Sequence, residues 1–101
     1  MRGWKVFLNG YNYLFEWEGQ KRKMGFYTTR FVEAETAETA KTVAITAVRE
    51  LPKLRAALND PSDPPRVEAE RVEPLDSSQP IERHTTGLVL YAEDGQPGFN
   101  D

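Results

Sequence analysis

Residues 25–51, GFYTTRFVEAETAETAKTVAITAVREL, decide the fold because they join a strand pattern directly to a helix pattern. Residues 26–34 are rich in aromatic and β-branched side chains, a composition typical of a half-buried strand. In residues 37–51, apolar side chains recur at helical spacing and form one continuous stripe. The stripe consists of Ala37, Ala40, Val43, Ala44, Ala47, Val48 and Leu51. Because most of these side chains are small, we expect the helix to lie close against a sheet.

The junction between the two patterns carries the signals of a helix start. Thr36 suits the N-cap position, where its hydroxyl would accept a hydrogen bond from a backbone N–H of the first turn. Glu35 and Glu38 place negative charge near the positive end of the helix dipole. A strand that runs into an amphipathic helix defines a fold and leaves the function open.

The residues before this stretch predict two further strands. An alternating pattern in residues 4–8 indicates the first strand, and Asn9-Gly10 is the dipeptide typical of a tight hairpin turn. Residues 11–17 then predict a second strand, and residues 24–34 a third. One face of the second strand is expected to carry Tyr11, Tyr13, Phe15 and Trp17.

The residues after the helix begin with a second, short helix. Pro52 ends the long helix and suits the first position of the short one, which Asn59 is expected to end. Residues 60–65, DPSDPP, predict a connection without regular structure, because closely spaced prolines exclude both a helix and a central strand.

The last part of the chain predicts two strands separated by a loop. Residues 66–73 indicate a strand that has a bulge or lies at an edge, because Val67 and Ala69 share a face on which Val72 would not lie. Residues 74–86 predict a loop and residues 87–92 a final, mostly apolar strand. The polar composition of residues 93–101 is typical of a disordered C-terminal tail.

These patterns together predict an α+β fold with two layers. Its mainly antiparallel sheet has four or five strands in the order β-β-β-α-(short α)-β-β, and one main helix packs on one face. A chain of 101 residues is the size of one domain, and we place that domain at residues 1–92.

Composition narrows the classes of function. The net charge is −3 at pH 7, so no overall field attracts nucleic acid or anionic lipid. The chain has no cysteine, which excludes disulfides, thiol nucleophiles and thiolate metal sites. The sequence shows no signal peptide and no apolar run of the roughly 20 residues that a membrane-spanning helix needs. We therefore expect a cytoplasmic protein with no membrane partner.

The predicted order of elements resembles that of HicB-type antitoxins. In that family, too, a three-stranded meander leads into a helix through a cap rich in Thr and Glu, here VEAETAETAKTVA at residues 32–44. The segments FYTTRFVEA and GLVLYAED also resemble those of small uncharacterised bacterial α+β proteins. The resemblance to antitoxins implies a protein partner, and it assigns no functional residue of this chain.

Two sets of residues raise the question of catalysis or metal binding. His84 is the only histidine, and Glu82 with Thr85 or Thr86 would formally complete a catalytic arrangement. No glycine-containing elbow or oxyanion signal accompanies them, so we predict no enzymatic activity and no catalytic residue. The row of Glu68, Glu70 and Glu73 alternates with arginines and reads as a solvated edge, so we predict no metal and no cofactor.

A protein-interaction surface is the leading hypothesis. Aromatic residues are enriched at interface cores. The third predicted strand carries bulky side chains on both faces, and one helix covers only one of them. Its candidate surface residues are Phe26 and Val32 on one face, and Tyr27 and Phe31 on the other. We therefore predict a non-enzymatic module with an unknown protein partner, antitoxin-like or immunity-like, or a homo-oligomer formed through the sheet.

The alternative hypothesis is a single-stranded nucleic-acid-binding protein. Residues 19–23, GQKRK, are expected to form a basic hairpin loop, and Lys21, Arg22 and Lys23 would contact phosphates. Exposed aromatic side chains near this loop would stack on bases. The acidic net charge makes this alternative the weaker of the two.

Overall fold

The computed structural model describes residues 2–75 and 88–93, and every structural statement below concerns this part of the chain. Its elements are β1 (Arg2–Trp17), β2 (Gln20–Ala34), α1 (Ala37–Arg49), α2 (Pro52–Arg55), β3 (Arg66–Pro74) and β4 (Val89–Ala92). The strands form one antiparallel sheet in the order β3-β1-β2-β4. Because α1 packs against this sheet, the predicted α+β fold class is confirmed.

The predicted hairpin turn at Asn9-Gly10 is wrong. β1 continues through this dipeptide, and the chain reverses at Glu18 and Gly19, whose φ angles are 51° and 81°. Two long strands therefore precede α1 in place of three shorter ones. Gly10 has another role, because a Cβ there would lie 1.9 Å from the ring of Phe26. The residue is a glycine so that this ring can lie directly on the backbone of β1.

A bulge in β1 changes the face on which one tyrosine lies. The register shifts between Gly10 and Tyr13, and Asn12 in the bulge has a φ of 62°. The predicted common row is therefore wrong for Tyr11, which lies on the face opposite to Tyr13 and Phe15. A strict alternation of side chains holds only while the ladder is regular.

Asn59 stabilises this bulge. The prediction that it ends α2 is wrong. Its Nδ2 donates to the backbone oxygen of Asn12 at 2.7 Å, and its Oδ1 accepts from the backbone N–H of Leu14 at 2.9 Å. The short helix already ends at Arg55. Asn59 therefore supplies hydrogen bonds that a neighbouring strand would otherwise give to this part of β1.

The edge strand β3 contains the expected bulge. Arg71 pairs with Phe7 and Ala69 pairs with Leu8, which leaves Glu70 as the extra residue. The shift turns Val72 to the same face as Val67 and Ala69, and all three pack in or against the core. The bulge thus resolves the broken alternation of the sequence, and both the edge position and the bulge are confirmed.

α1 covers one face of the sheet with small side chains. Its fully buried residues are Ala40, Ala44 and Val48, one turn apart. The predicted stripe is wrong at Val43, which is 40% exposed, and at Ala47, which is also exposed. The contact surface is displaced toward Ile45, which packs against the core.

The predicted helix starts are confirmed. The Thr36 hydroxyl accepts from the backbone N–H of Thr39 at 3.1 Å, and Glu38 lies in the first turn of α1. Pro52 occupies the start of α2, where a missing N–H leaves no hydrogen bond unmade.

The core lies between α1 and the sheet. Its largest fully buried side chains are Val6, Leu8, Met24, Phe26 and Val48. Arg30 is a charged residue on this face, as its pairing with Val6 shows, and its Nε is buried without a hydrogen-bond partner. Desolvation lowers the pKa of its guanidinium, although an arginine at neutral pH stays protonated.

Several predictions concern residues outside the described part of the chain. The loop at residues 76–86, the His84 arrangement and the tail at residues 94–101 lie outside the described ranges. Neither described helix has the length and apolar character required to cross a bilayer.

Candidate interaction surface

The sheet has a second face, turned away from α1, on which no described helix packs. The strand register identifies its side chains, because directly paired residues of an antiparallel ladder lie on the same face. We call this surface the open face. It includes Lys5, Phe7, Asn9 and Tyr11 of β1, Gly25, Tyr27, Thr29, Phe31 and Glu33 of β2, Arg66, Glu68, Arg71 and Glu73 of β3, and Val89 and Tyr91 of β4.

The most exposed apolar part of the open face lies where β2 meets β4. Tyr27 is 50% exposed and Val89 is 65% exposed, and the two residues are direct cross-strand partners. The ring of Tyr91 stacks on that of Tyr27 with centroids 5.3 Å apart. We call these three residues the exposed patch.

Contacts with Asn9 of β1 and Gly25 of β2 orient the side chain of Tyr91. Its hydroxyl accepts a hydrogen bond from Asn9 Nδ2 at 3.0 Å, and the same amide donates to the backbone oxygen of Phe26 at 3.0 Å. The ring lies on Gly25, where a Cβ would approach it to 2.2 Å. Burial raises the pKa of Tyr91, so its phenol is neutral at physiological pH. These contacts define the orientation of one aromatic ring in the exposed patch.

A second part of the open face combines aromatic rings with cations. Lys5 Nζ lies 5.0 Å from the ring centroid of Phe7 and 6.0 Å from that of Phe31. The guanidinium carbon of Arg71 lies 4.8 Å from the centroid of Phe7. These are cation–π distances, and the long side chains partly cover the rings. This part of the surface is consequently less apolar than its sequence suggests.

Carboxylates balance the cations along β3. Arg71 forms an ion pair with Glu73, and the Tyr11 hydroxyl donates to Glu68 Oε1 at 2.8 Å. The hydrogen bond to Glu68 is the main reason that the pKa of Tyr11 is raised. The open face thus has a mixed-charge side at β3 and an uncharged, apolar side at β4.

The four candidate surface residues divide between the two faces. Phe26 has no exposed surface and packs against Tyr13 with ring centroids 5.5 Å apart. Val32 lies on the same face and packs against the core. Tyr27 and Phe31 belong to the open face. Phe26 is therefore inaccessible in the folded protein, and Tyr27 and Phe31 are the two candidates on the open face.

The basic triplet lies in a strand, so the predicted basic loop is wrong. Lys21, Arg22 and Lys23 pair with residues of β1, close to the turn that joins the two strands. Alternation places Arg22 on the opposite face from the two lysines. Lys23 Nζ pairs with Asp63 Oδ2 at 3.2 Å. The triplet is therefore divided between the two faces of the sheet, and its contact with nucleic acid stays a prediction.

The acidic row of β3 is divided by its bulge. Glu68 accepts from Tyr11, Glu73 pairs with Arg71, and Glu70 is the bulged residue. Within residues 2–75 and 88–93, no group of three or more His, Asp or Glu side chains is arranged to hold a metal ion.

The sequence reasoning did not include the residues that complete the open face. Phe7 interrupts the polar face of the first strand pattern, and this interruption was the available signal. Val89 and Tyr91 alternate with Leu90, which indicates two different environments. Arg71 and Tyr91 could be assigned to this face only once the bulge and the strand order were known.

Comparison with known proteins finds no matching family model, and no curated protein or solved structure is similar enough to count as a match. The resemblance to HicB-type antitoxins therefore stays a prediction. The structure has two strands before its main helix, where that resemblance rested on three.

Proposed function

We propose that this protein is a non-enzymatic protein-interaction module that binds its partner through the open face. One observation carries the proposal. The large apolar side chains with the greatest exposure in the described residues are Tyr27, Val43, Leu58 and Val89. Tyr27 and Val89 are direct partners in the sheet, so they form a contiguous surface together with Tyr91. Contiguous exposed apolar surface is a feature of interaction sites.

The chemistry of the exposed patch supports a protein partner. Tyrosine combines a large apolar area with a polar hydroxyl and loses little conformational entropy on binding, and it is enriched at interface hot spots. Charged side chains of both signs lie at the opposite, β3 edge of the open face, where they would form the polar rim of an interface centred on the patch. A toxin-like partner, which the antitoxin resemblance implies, is one form of this proposal. The absence of cysteine agrees with a cytoplasmic location.

Single-stranded nucleic acid is the second candidate ligand. The observation in its favour is the placement of Lys5 and Arg71 over Phe7 and Phe31, because bases stack on such rings while cations contact phosphates. The ion pairs of Arg71 and Lys23 with carboxylates weaken this candidate. Nucleic-acid binding would fall steeply with salt, whereas an apolar protein interface would not.

The test is an affinity purification from source-cell lysate, with and without nuclease. The patch variant carries Tyr27→Ser and Val89→Ser, and the matched control carries Val43→Ser and Leu58→Ser, which removes similarly exposed apolar groups elsewhere. We expect a stoichiometric protein, or a second untagged copy of the chain, to remain bound after nuclease treatment. The patch variant should lose it and the control should retain it.

Two results would contradict the proposal. Equal capture by the patch variant and the wild type would show that the open face is not the binding surface. Binding that disappears with nuclease and with moderate salt would replace the proposal with the nucleic-acid alternative. In that case, Lys5→Ser and Arg71→Ser should weaken binding more than substitution of Lys21, Arg22 and Lys23, because the first pair lies beside the aromatic rings.

A further inference from the structure

The two edges of the sheet differ in their protection against pairing. β3 has charged side chains along its length, a bulge and a terminal proline, all features that discourage a further strand. β4 has the sequence Val-Leu-Tyr-Ala, with no charge and no proline, and its first residue, Val89, is 65% exposed. An uncharged apolar edge is a template for strand addition.

The outward-facing hydrogen-bonding groups of β4 can be identified. The Glu93 N–H donates to the oxygen of Lys23, so the backbone of Glu93 faces β2. Backbone groups alternate along an antiparallel strand, so Tyr91 and Val89 also face β2. Leu90 and Ala92 therefore direct their N–H and C=O groups away from the sheet. Within the described residues, β4 is an outer strand, and no strand pairs with this side.

We propose that β4 pairs with β4 of a second copy of this chain, antiparallel, about a two-fold axis at Tyr91. This register pairs Leu90 with the partner's Ala92 and Ala92 with the partner's Leu90. Both residues have outward-facing groups, so the two pairs form four backbone hydrogen bonds. The two four-stranded sheets would join into one eight-stranded sheet with an α1 helix of each copy on the same face.

The side chains of β4 are self-complementary in this register. On the helix-covered face, the large Leu90 lies beside the small Ala92 of the partner subunit, and the reverse pair is identical by symmetry. On the open face, Tyr91 lies opposite the partner subunit's Tyr91, and each ring is turned toward Gly25 and Asn9 of its own copy, so neither ring obstructs the axis. No like charges meet at the axis, because β4 has none.

This inference goes beyond the proposed function, because the ladder uses the outward backbone groups of Leu90 and Ala92 at the edge of β4 and not the open face. It adds the identity of the partner and the direction of approach. A ladder of four residues buries less surface than the roughly 800 Å² per partner that a standard interface buries. We therefore expect a reversible dimer, and its sedimentation should be measured up to millimolar protein concentration.

The first experiment compares Ala92→Pro with Ala92→Ser by analytical ultracentrifugation. Proline removes the outward N–H of residue 92 and leaves the hydrogen bonds to β2 unchanged, and edge strands tolerate proline at such positions. Serine keeps the N–H and a similar volume. Because two of the four hydrogen bonds disappear, we expect the proline variant to raise the dissociation constant at least about tenfold. The serine variant should dimerise like the wild type.

A second experiment does not depend on the stability of a proline variant. The natural chain lacks cysteine, so Tyr91→Cys introduces a single thiol. Directly opposed residues of a pair without hydrogen bonds have Cα atoms about 4.5 Å apart, which is within the range for a disulfide. Mild oxidation should link two copies of this variant rapidly. Val43→Cys on the exposed side of α1 is the control, and it should remain unlinked.

The outcomes separate this inference from the proposed function. A monomeric wild type at all concentrations, together with equal linking of Tyr91→Cys and Val43→Cys, would overturn the second-copy assignment. If the exposed patch then still captures a different protein, the proposed function stands and only the identity of the partner is wrong. If the double variant Tyr27→Ser, Val89→Ser still dimerises and Ala92→Pro does not, the β4 ladder is supported. Loss of the captured protein in the same double variant then tests the proposed function separately.

Discussion

The two faces of the sheet differ most clearly at two adjacent residues of β2. Phe26 has no exposed surface and lies beneath α1, whereas Tyr27, the next residue, is 50% exposed. Both are aromatic and both lie in a regular part of the ladder. Their difference shows that aromatic content alone does not distinguish a core position from a surface position. The helix that follows β2 decides which of the two is buried.

The two faces nevertheless share one kind of packing contact. On each, an aromatic ring lies on a glycine of the neighbouring strand: Phe26 on Gly10 at the helix-covered face, and Tyr91 on Gly25 at the open face. The first ring is enclosed by the core, and the second belongs to a four-residue edge strand. The same contact is therefore rigid on one face and adjustable on the other.

Truncation of the two adjacent aromatics should give the largest difference. Phe26→Ala removes a fully buried ring and should lower the free energy of unfolding by about 3–5 kcal/mol. Tyr27→Ala should lower it by less than about 1 kcal/mol, because half of its side chain is already in water. Urea denaturation of both variants measures the effect. Similar losses for the two would show that the open face is covered in solution.

Substitution of the two glycines tests the difference in rigidity. Gly10→Ala places a methyl group against a ring that cannot move, and we expect a loss of about 1–3 kcal/mol. Gly25→Ala meets the ring of Tyr91, which can swing into solvent, so the loss should be below about 1 kcal/mol. Thermal unfolding compares them. A larger effect at Gly25 would mean that Tyr91 is held as firmly as Phe26.

Acid should have a smaller effect on stability, through Asp63, which lies in the connection between α2 and β3. Hydrogen bonds from Asn12 and Lys23 lower the pKa of Asp63 from its ordinary value of 3.8. The ionised group therefore stabilises the fold above pH 3.8, and this contribution disappears as the pH falls through the lowered pKa. The melting temperature of Asp63→Asn should lie slightly below that of the wild type at neutral pH, and the gap should close in acid. A gap that is constant with pH would exclude this role.

The sequence alone was sufficient to predict the elements that short-range residue patterns determine. The strand leading into α1, the Thr36 cap, Pro52 at the start of α2 and the edge character of β3 all follow from residues within one turn or one strand. Each depends on short-range sterics and hydrogen bonds, so the same residues give the same structure in most surroundings.

The features that failed depend on contacts between distant residues. Asn9-Gly10 has the strongest local turn signal, but the ring of Phe26 requires Gly10 within a strand. The bulge at Asn12 is supported by Asn59, 47 residues further along the chain. Without these contacts, neither the face of Tyr11 nor the composition of the open face could be known. Of the four predicted surface residues, Tyr27 and Phe31 lie on the open face, and their role in binding stays a prediction.

The long β1–β2 hairpin also has a consequence for the order of folding. Its ladder extends from Trp17 and Gln20 beside the turn to Arg2 and Ala34, and the Trp4 indole closes the far end with a hydrogen bond to the Ala34 oxygen at 3.0 Å. Such a hairpin can zip from its turn within about 1–10 μs, whereas β3 must close a much longer loop before it pairs. α1 follows β2 directly, so we expect it to dock on the hairpin before β3 arrives. A kinetic nucleus of this kind would assign the covered and open faces while more than a third of the chain was still unfolded.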